Sequence, residues 1–179
     1  SHLFVDIFTT SLGFERLKEK ERRPRLLLSL LKSMSHGTLR VPWLTILASL
    51  VVAFLFFLGQ PCFDMLVFER QAMLQGEFYR LITGHFVHFN FEHLLWDLLA
   101  LIILGVVIEH NSKKSFMFSL LASCVCVSGW MWFLRPDVGS YCGLSGVLNG
   151  LLVVCAIMLW KDNRNSMYLF VILLTLGKI

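Results

Sequence analysis

Five apolar blocks leave this chain few ways to fold. They run Trp43–Gly59, Leu94–Ile108, Phe116–Leu134, Leu144–Trp160 and Met167–Gly177. A helix that crosses a bilayer needs roughly 17–25 predominantly apolar residues. Four blocks approach that length, and the last is short. Charged residues make up only 16% of the 179 positions, against about a quarter in soluble domains. Hydrophobic residues reach 56%, with a mean hydropathy of +0.70. The pattern predicts an all-α polytopic membrane protein with five transmembrane helices, the fifth cut off.

Charge sets the expected topology. Lys18, Lys20, Arg22, Arg23, Arg25, Lys32 and Arg40 precede the first block, interleaved with Glu15, Glu19 and Glu21. Basic residues beside a span favour the cytoplasmic side, so residues 1–42 read as a cytoplasmic basic segment and 43–179 as the membrane domain. Leu26–Leu31 is either a short amphipathic helix on the membrane surface or part of a tail. Met34 stands shortly before the first span, so positions 1–33 are given no function. Lys113, Lys114, Lys161 and Arg164 then fall in cytoplasmic loops, and Gln60–Glu92 and Arg135–Ser140 fall outside. The net charge of +4 reflects topology and contact with the lipid bilayer, and no nucleic-acid partner is expected. Cys124, Cys126 and Cys155 lie inside apolar blocks as packing residues. Cys62 and Cys142 sit near outer loops, where a bridge between them is conceivable.

Polar groups at membrane depth are costly and therefore functional candidates. Gly143-Leu144-Ser145-Gly146 opens the fourth block, a hydroxyl between residues that let backbone approach closely. Asn149 lies four residues on, and His93 and Asp97 are also four apart. Each pair shares one helical face. A cavity between the second and fourth spans could gather Ser145, His93, Asp97 and Asn149. The Gln60–Glu92 loop mixes apolar and polar residues, which suits a segment partly embedded in the outer interface and shaping such a cavity.

The run Tyr79-Arg80-Leu81-Ile82-Thr83-Gly84-His85-Phe86-Val87-His88, then His93 and Asp97, then Leu104-Gly105 and Glu109, then Gly143-Leu144-Ser145-Gly146 resembles the rhomboid intramembrane serine proteases. The wording Thr-Gly-His-Phe-Val-His, with Asp at position 97, looks most like the rhombosortase branch, which is associated with bacterial proteins carrying Gly-Gly C-terminal anchors. The resemblance implies a rhomboid-like helix bundle with Ser145 as nucleophile. His93 and the Ser145 N–H would stabilise the oxyanion, with Gly143, Gly146 and Asn149 in support. Arg80, His88 and Glu109 would be structural, tying the outer loop and the inner end of the second span. It also implies a sixth span, beyond Ile179, that carries the general-base histidine and packs on the Gly146-x-x-x-Gly150 face. Position 97 is commonly Asn in the family, an oxyanion donor. Here Asp97 either donates when protonated or stays ionised and orients His93.

No cofactor is expected. His85, His88 and His93 lack a zinc-protease pattern, so no metal is expected either. The implied activity is cleavage of a membrane-anchored protein near the outer face of a bacterial inner membrane. Three other readings stand beside it. One makes His93 the base with Asp97 as its orienter. Another is a rhomboid-like pseudoprotease that binds transmembrane helices. The third is a small transporter with a His93–Asp97 proton relay, opposed by the apolar inner halves of the second and fourth spans.

Overall fold

The computed structural model describes residues 41–163 and, beyond them, Tyr168, Val171, Ile172 and Thr175. Nearly all of the basic segment 1–42, and most of the block Met167–Gly177, lie outside the described residues. The described residues from Pro42 onward belong to one compact unit, Pro42–Ile179.

Helix α1 spans Trp43–Phe57, and α2 spans Gln60–Leu66. They are bent by 116° at the break between them, where Gly59 takes φ +78°. That backbone region favours glycine, and Pro61 in the first turn of α2 suits a helix start. Strand β1 (Phe68–Glu69), α3 (Arg70–Leu74) and α4 (Arg80–Thr83) follow. The stretch expected as one loop, Gln60–Glu92, is thus a string of short elements. None is long enough to show a helical apolar stripe, so sequence periodicity misses them.

Helix α5 spans Phe91–Asn111. It starts where the Asn90 side chain accepts from the His93 N–H at 2.8 Å, a regular N-cap. Extended backbone at Ser112 separates it from α6, Lys113–Leu134, and the Ser112 hydroxyl caps the Ser115 N–H at 3.2 Å. Strand β2 (Ser140–Tyr141) pairs antiparallel with β1, Phe68 opposite Tyr141 and Glu69 opposite Ser140. Helix α7, Ser145–Asn163, closes the described bundle.

Helix α5 is central, packing on α1, α6 and α7, while α6 and α7 also pack together. Val52, Leu94, Leu101, Ile108, Phe116, Leu144, Val147 and Leu151 form the core. Phe54, Phe57, Phe118, Val125 and Phe133 point outward and exposed, as a lipid-facing surface requires. Both α5 and α6 are long and apolar enough to cross a membrane, and α1 with α2 makes a third such element if the bent pair counts as one. Ser145–Lys161 within α7 is a shorter apolar helix.

Small residues set the helix spacing. A Cβ at Gly150 would collide with Ser123 of α6, and one at Gly146 would meet Val127 Cγ1 at 2.9 Å. The Gly146–Gly150 face therefore packs closely against the third apolar block, α6, beside a groove that the same two glycines line. The sequence signal for close packing was right, but spacing alone names no partner.

Two arginines hold the segment between α1 and α5. Arg80, buried, donates to the carbonyls of Asp64 and Val67 at 2.8 and 2.9 Å and to Glu77 at 2.7 Å. Arg70 spreads over the end of α6, donating to the carbonyls of Met131, Trp132, Arg135 and Val138. Its guanidinium lies over the Trp132 ring. A cation that collects the last carbonyls of a helix also meets the negative end of its dipole.

Candidate active site

Ser145 is the first residue of α7. The first bond inside that helix runs from the Leu148 N–H to the Leu144 carbonyl at 2.8 Å. The N–H groups of Ser145, Gly146 and Val147 thus have no partner within the helix. Backbone donors and the positive end of the helix dipole gather beside the serine hydroxyl, where developing negative charge is stabilised.

The turn into the helix is built for closeness. Gly143 has φ +101°, and a Cβ there would stand 2.6 Å from His93 Cε1 and 3.0 Å from His93 Nε2. No side chain fits that position without displacing the imidazole. The Gly143 N–H donates to the Gly84 carbonyl at 3.2 Å. Gly84 in turn lies against Phe68, where a Cβ would meet the Phe68 backbone nitrogen at 2.6 Å. The glycines of Thr83-Gly84-His85 and Gly143-Leu144-Ser145 are therefore two sides of one contact.

Asp97 anchors this turn from α5. Its Oδ2 accepts from the Leu144 N–H at 2.8 Å, lies 3.0 Å from His88 Nε2 and stands 3.4 Å from His93 Nε2. Leu144 immediately precedes the serine, so the carboxylate fixes the residue that aims it. The His88 side chain is fully buried and that of Asp97 nearly so, while His93 is about one-third exposed. The His88 and His93 rings meet edge to face with centroids 5.2 Å apart. His88, which lies just before α5, is joined to that helix through Asp97.

Asn149 does not join the cluster. It lines an apolar groove of about 490 Å³ between α6 and α7, together with Gly146, Gly150, Ser119, Ser123 and Thr175. It lies one turn down α7 from Ser145, on the groove wall and away from Asp97 and His93. Glu109 accepts from the backbone at the start of α1, and Arg80 donates to carbonyls at the end of α2.

Tyr141 takes the place expected for Asn149, and sequence reading missed it. Its hydroxyl lies 3.5 Å from Ser145 Oγ and accepts from the Gly146 N–H at 3.2 Å. Its spacing of four from the serine was a usable signal, but the contact depends on the β1–β2 ladder between residues far apart in sequence. His85 supports it from behind, with ring centroids 5.6 Å apart. His85 Nε2 lies 2.8 Å from Ser128 Oγ, and the Ser128 hydroxyl donates to the Leu81 carbonyl. Ser128 therefore accepts from His85, which fixes the Nε2–H tautomer.

Among the described residues, no histidine nitrogen lies within hydrogen-bond distance of Ser145 Oγ. His85 serves Ser128, while His88 and His93 flank Asp97. These histidines do not converge on one point.

Fold and site together define a helical membrane domain with a glycine-flanked serine at a helix start. A rhomboid-domain family profile matches residues 75–179, and the chain belongs to the rhomboid family. It is an integral membrane protein. It is 28% identical over 133 residues to the rhomboid protease GlpG of Salmonella paratyphi A (strain ATCC 9150 / SARB42), a match covering 72% of this chain and 47% of that protein. The rhomboid protease GlpG of Salmonella typhi matches with the same figures. The chain spans about half the length of the curated relatives it matches.

Proposed function

We propose that this protein is an intramembrane serine protease with Ser145 as its nucleophile. The observation that carries the reading is the Gly143–Ser145 turn, pinned by Asp97 and His93 at the start of α7. The Ser145 hydroxyl attacks a peptide carbonyl, and the negative charge that builds on its oxygen falls between the Ser145 N–H and the His93 imidazole. Donors placed where charge develops supply large rate effects. Asp97 Oδ2 accepts from the Leu144 N–H and is assigned to holding the serine turn rather than to donating to the oxyanion. It orients His93 and fixes the serine turn. The base that activates the serine is, on the rhomboid resemblance, a histidine on a sixth span beyond Ile179. The five apolar blocks before it would be the other spans.

The substrate is a membrane-anchored protein with a segment near the bilayer surface that unwinds easily, because a helical peptide hides its carbonyls. The Thr83–His88 wording and Asp97 support the rhombosortase branch and a Gly-Gly anchor. Basic residues before α1 support a cytoplasmic N-terminus and an extracytoplasmic site in a bacterial inner membrane.

The test is cleavage of a Gly-Gly-anchored reporter by the full-length protein and by Ser145→Ala, each in membranes at matched expression. The reading expects Ser145→Ala to abolish cleavage while keeping its elution profile in detergent. Cleavage by Ser145→Ala at the wild-type rate would sink it. Reporter binding with no cleavage by either protein would instead favour a helix-binding pseudoprotease.

A further inference from the structure

The Tyr141 ring is held from three directions. Its backbone pairs with Phe68 across the β1–β2 ladder. Its ring meets that of His85 edge to face at 68°, and His85 is locked through Ser128 to Leu81. Its oxygen accepts from the Gly146 N–H. A Cβ at position 146 would stand 3.1 Å from that oxygen, so glycine keeps the phenol against the helix start. A phenol carries one hydrogen and two lone pairs. Gly146 uses a lone pair, and the polar atom within reach of the hydrogen is Ser145 Oγ.

We infer that Tyr141 is a positioning residue for the nucleophile, its hydroxyl donating to Ser145 Oγ and selecting one serine rotamer. The inference rests on the reading of Ser145 as the nucleophile. A serine side chain has three staggered wells, and only some of them aim Oγ at a carbonyl held beside His93. A donor fixed on Oγ narrows that choice and leaves the serine's own hydrogen free for the base. Burial pushes the Tyr141 phenol up from its ordinary value, so it remains a donor at neutral pH. The geometry assigns a task to the His85–Ser128–Leu81 chain as well. It keeps the ring behind Tyr141 from turning and so transmits the rigidity of α6 to the serine.

The test compares wild type, Tyr141→Phe and Ser145→Ala of the full-length protein in micelles. It measures reporter cleavage and the rate of Ser145 labelling by a fluorophosphonate, each per folded protein. Tyr141→Phe keeps the ring against His85 and removes only the hydroxyl. It should lower both kcat and the labelling rate about tenfold, the scale of one lost hydrogen bond, with KM unchanged. Tyr141→Leu, which also removes the ring, should lower them further and reduce Tm. Wild-type kcat and labelling in Tyr141→Phe, with Ser145→Ala inert, would overturn the inference and leave the nucleophile standing. A raised KM at unchanged kcat would also overturn it, since that marks a substrate contact. Cleavage by Ser145→Ala would remove the nucleophile assignment and this inference with it.

Discussion

Each end of α5 buries a carboxylate, and each carboxylate holds the start of another helix. Glu109 accepts from the N–H groups of Leu44 and Thr45 at 3.1 and 2.8 Å and from the Thr45 hydroxyl at 2.8 Å. It supplies the N-cap that α1 lacks, because Pro42 has no capping side chain. Asp97 does the same for α7 through the Leu144 N–H. Each end also has a glycine where a side chain would not fit. A Cβ at Gly105 would meet Thr45 at 2.7 Å, and one at Gly143 would meet His93 at 2.6 Å. The difference lies in the remaining partners. Glu109 faces main chain and a hydroxyl, whereas Asp97 faces two imidazoles, one of them partly exposed. The same device is structural where it meets main chain, and it becomes a candidate for chemistry where it meets two imidazoles beside the serine turn.

The largest expected effect separates the two carboxylates. Asp97→Leu releases the Leu144 N–H and removes the carboxyl group beside the His93 ring, so the protein should lose at least about a hundredfold in kcat, the scale of a misplaced oxyanion site. Glu109→Leu should leave kcat per folded protein within about twofold of wild type. It should instead cost about 2–4 kcal/mol of stability, because two backbone donors are stranded in a buried place. Cleavage assays paired with thermal unfolding in micelles read both numbers. If Glu109→Leu lost activity as Asp97→Leu does, without loss of stability, the two ends would not differ in kind.

The glycines sharpen the same contrast at a smaller scale. Gly105→Ala pushes a methyl into Thr45, whose side chain is tied to Glu109 and cannot swing away. It should cost about 1–3 kcal/mol, the range for overpacking, and leave the cleavage rate per folded protein unchanged. Gly143→Ala combines a strained φ with a methyl against the His93 ring. It should lower kcat about tenfold or more through the displaced imidazole, with a smaller loss of Tm. Equal effects of the two variants on Tm and on kcat would erase the distinction between the ends.

Much of this contrast was written locally in the sequence, but the part that matters for function was not. The apolar blocks marked the four long helices because burial in lipid demands continuous apolar length. Asn90 and Ser112 cap two of these helices, and the apolar blocks, which begin at Leu94 and Phe116, fall short of those starts because capping residues are polar. Ser145, His93 and Asp97 stood out as polar groups in apolar blocks, and the structure places Asp97 against both His93 and the residue before Ser145. By contrast, Glu109 reaching Thr45, Arg70 reaching the end of α6 and Tyr141 reaching Ser145 all join residues distant in sequence or depend on a two-residue ladder. No periodicity encodes such contacts. Asn149 shows the converse error, where a helical spacing suggested a shared site that tertiary packing turned into a groove wall.

The smallest effect concerns acid, and it belongs to the Asp97 end. Burial pushes the His85 imidazole down from 6.5 to about 4, since a charged ring there would be desolvated. The unfolded chain therefore binds a proton near pH 6.5 that the folded chain refuses until about pH 4. By linkage, this contribution to stability is fully present above pH 6.5 and is lost as the pH falls from there toward 4. His85→Gln cannot titrate, and its amide still has a donor for Ser128. It should flatten the fall of Tm between pH 6.5 and 4 while giving up a little Tm at neutral pH. Glu109→Gln, at the other end, should leave the slope over that window as it is in the wild type. A wild-type slope in His85→Gln would place the acid-sensitive group elsewhere.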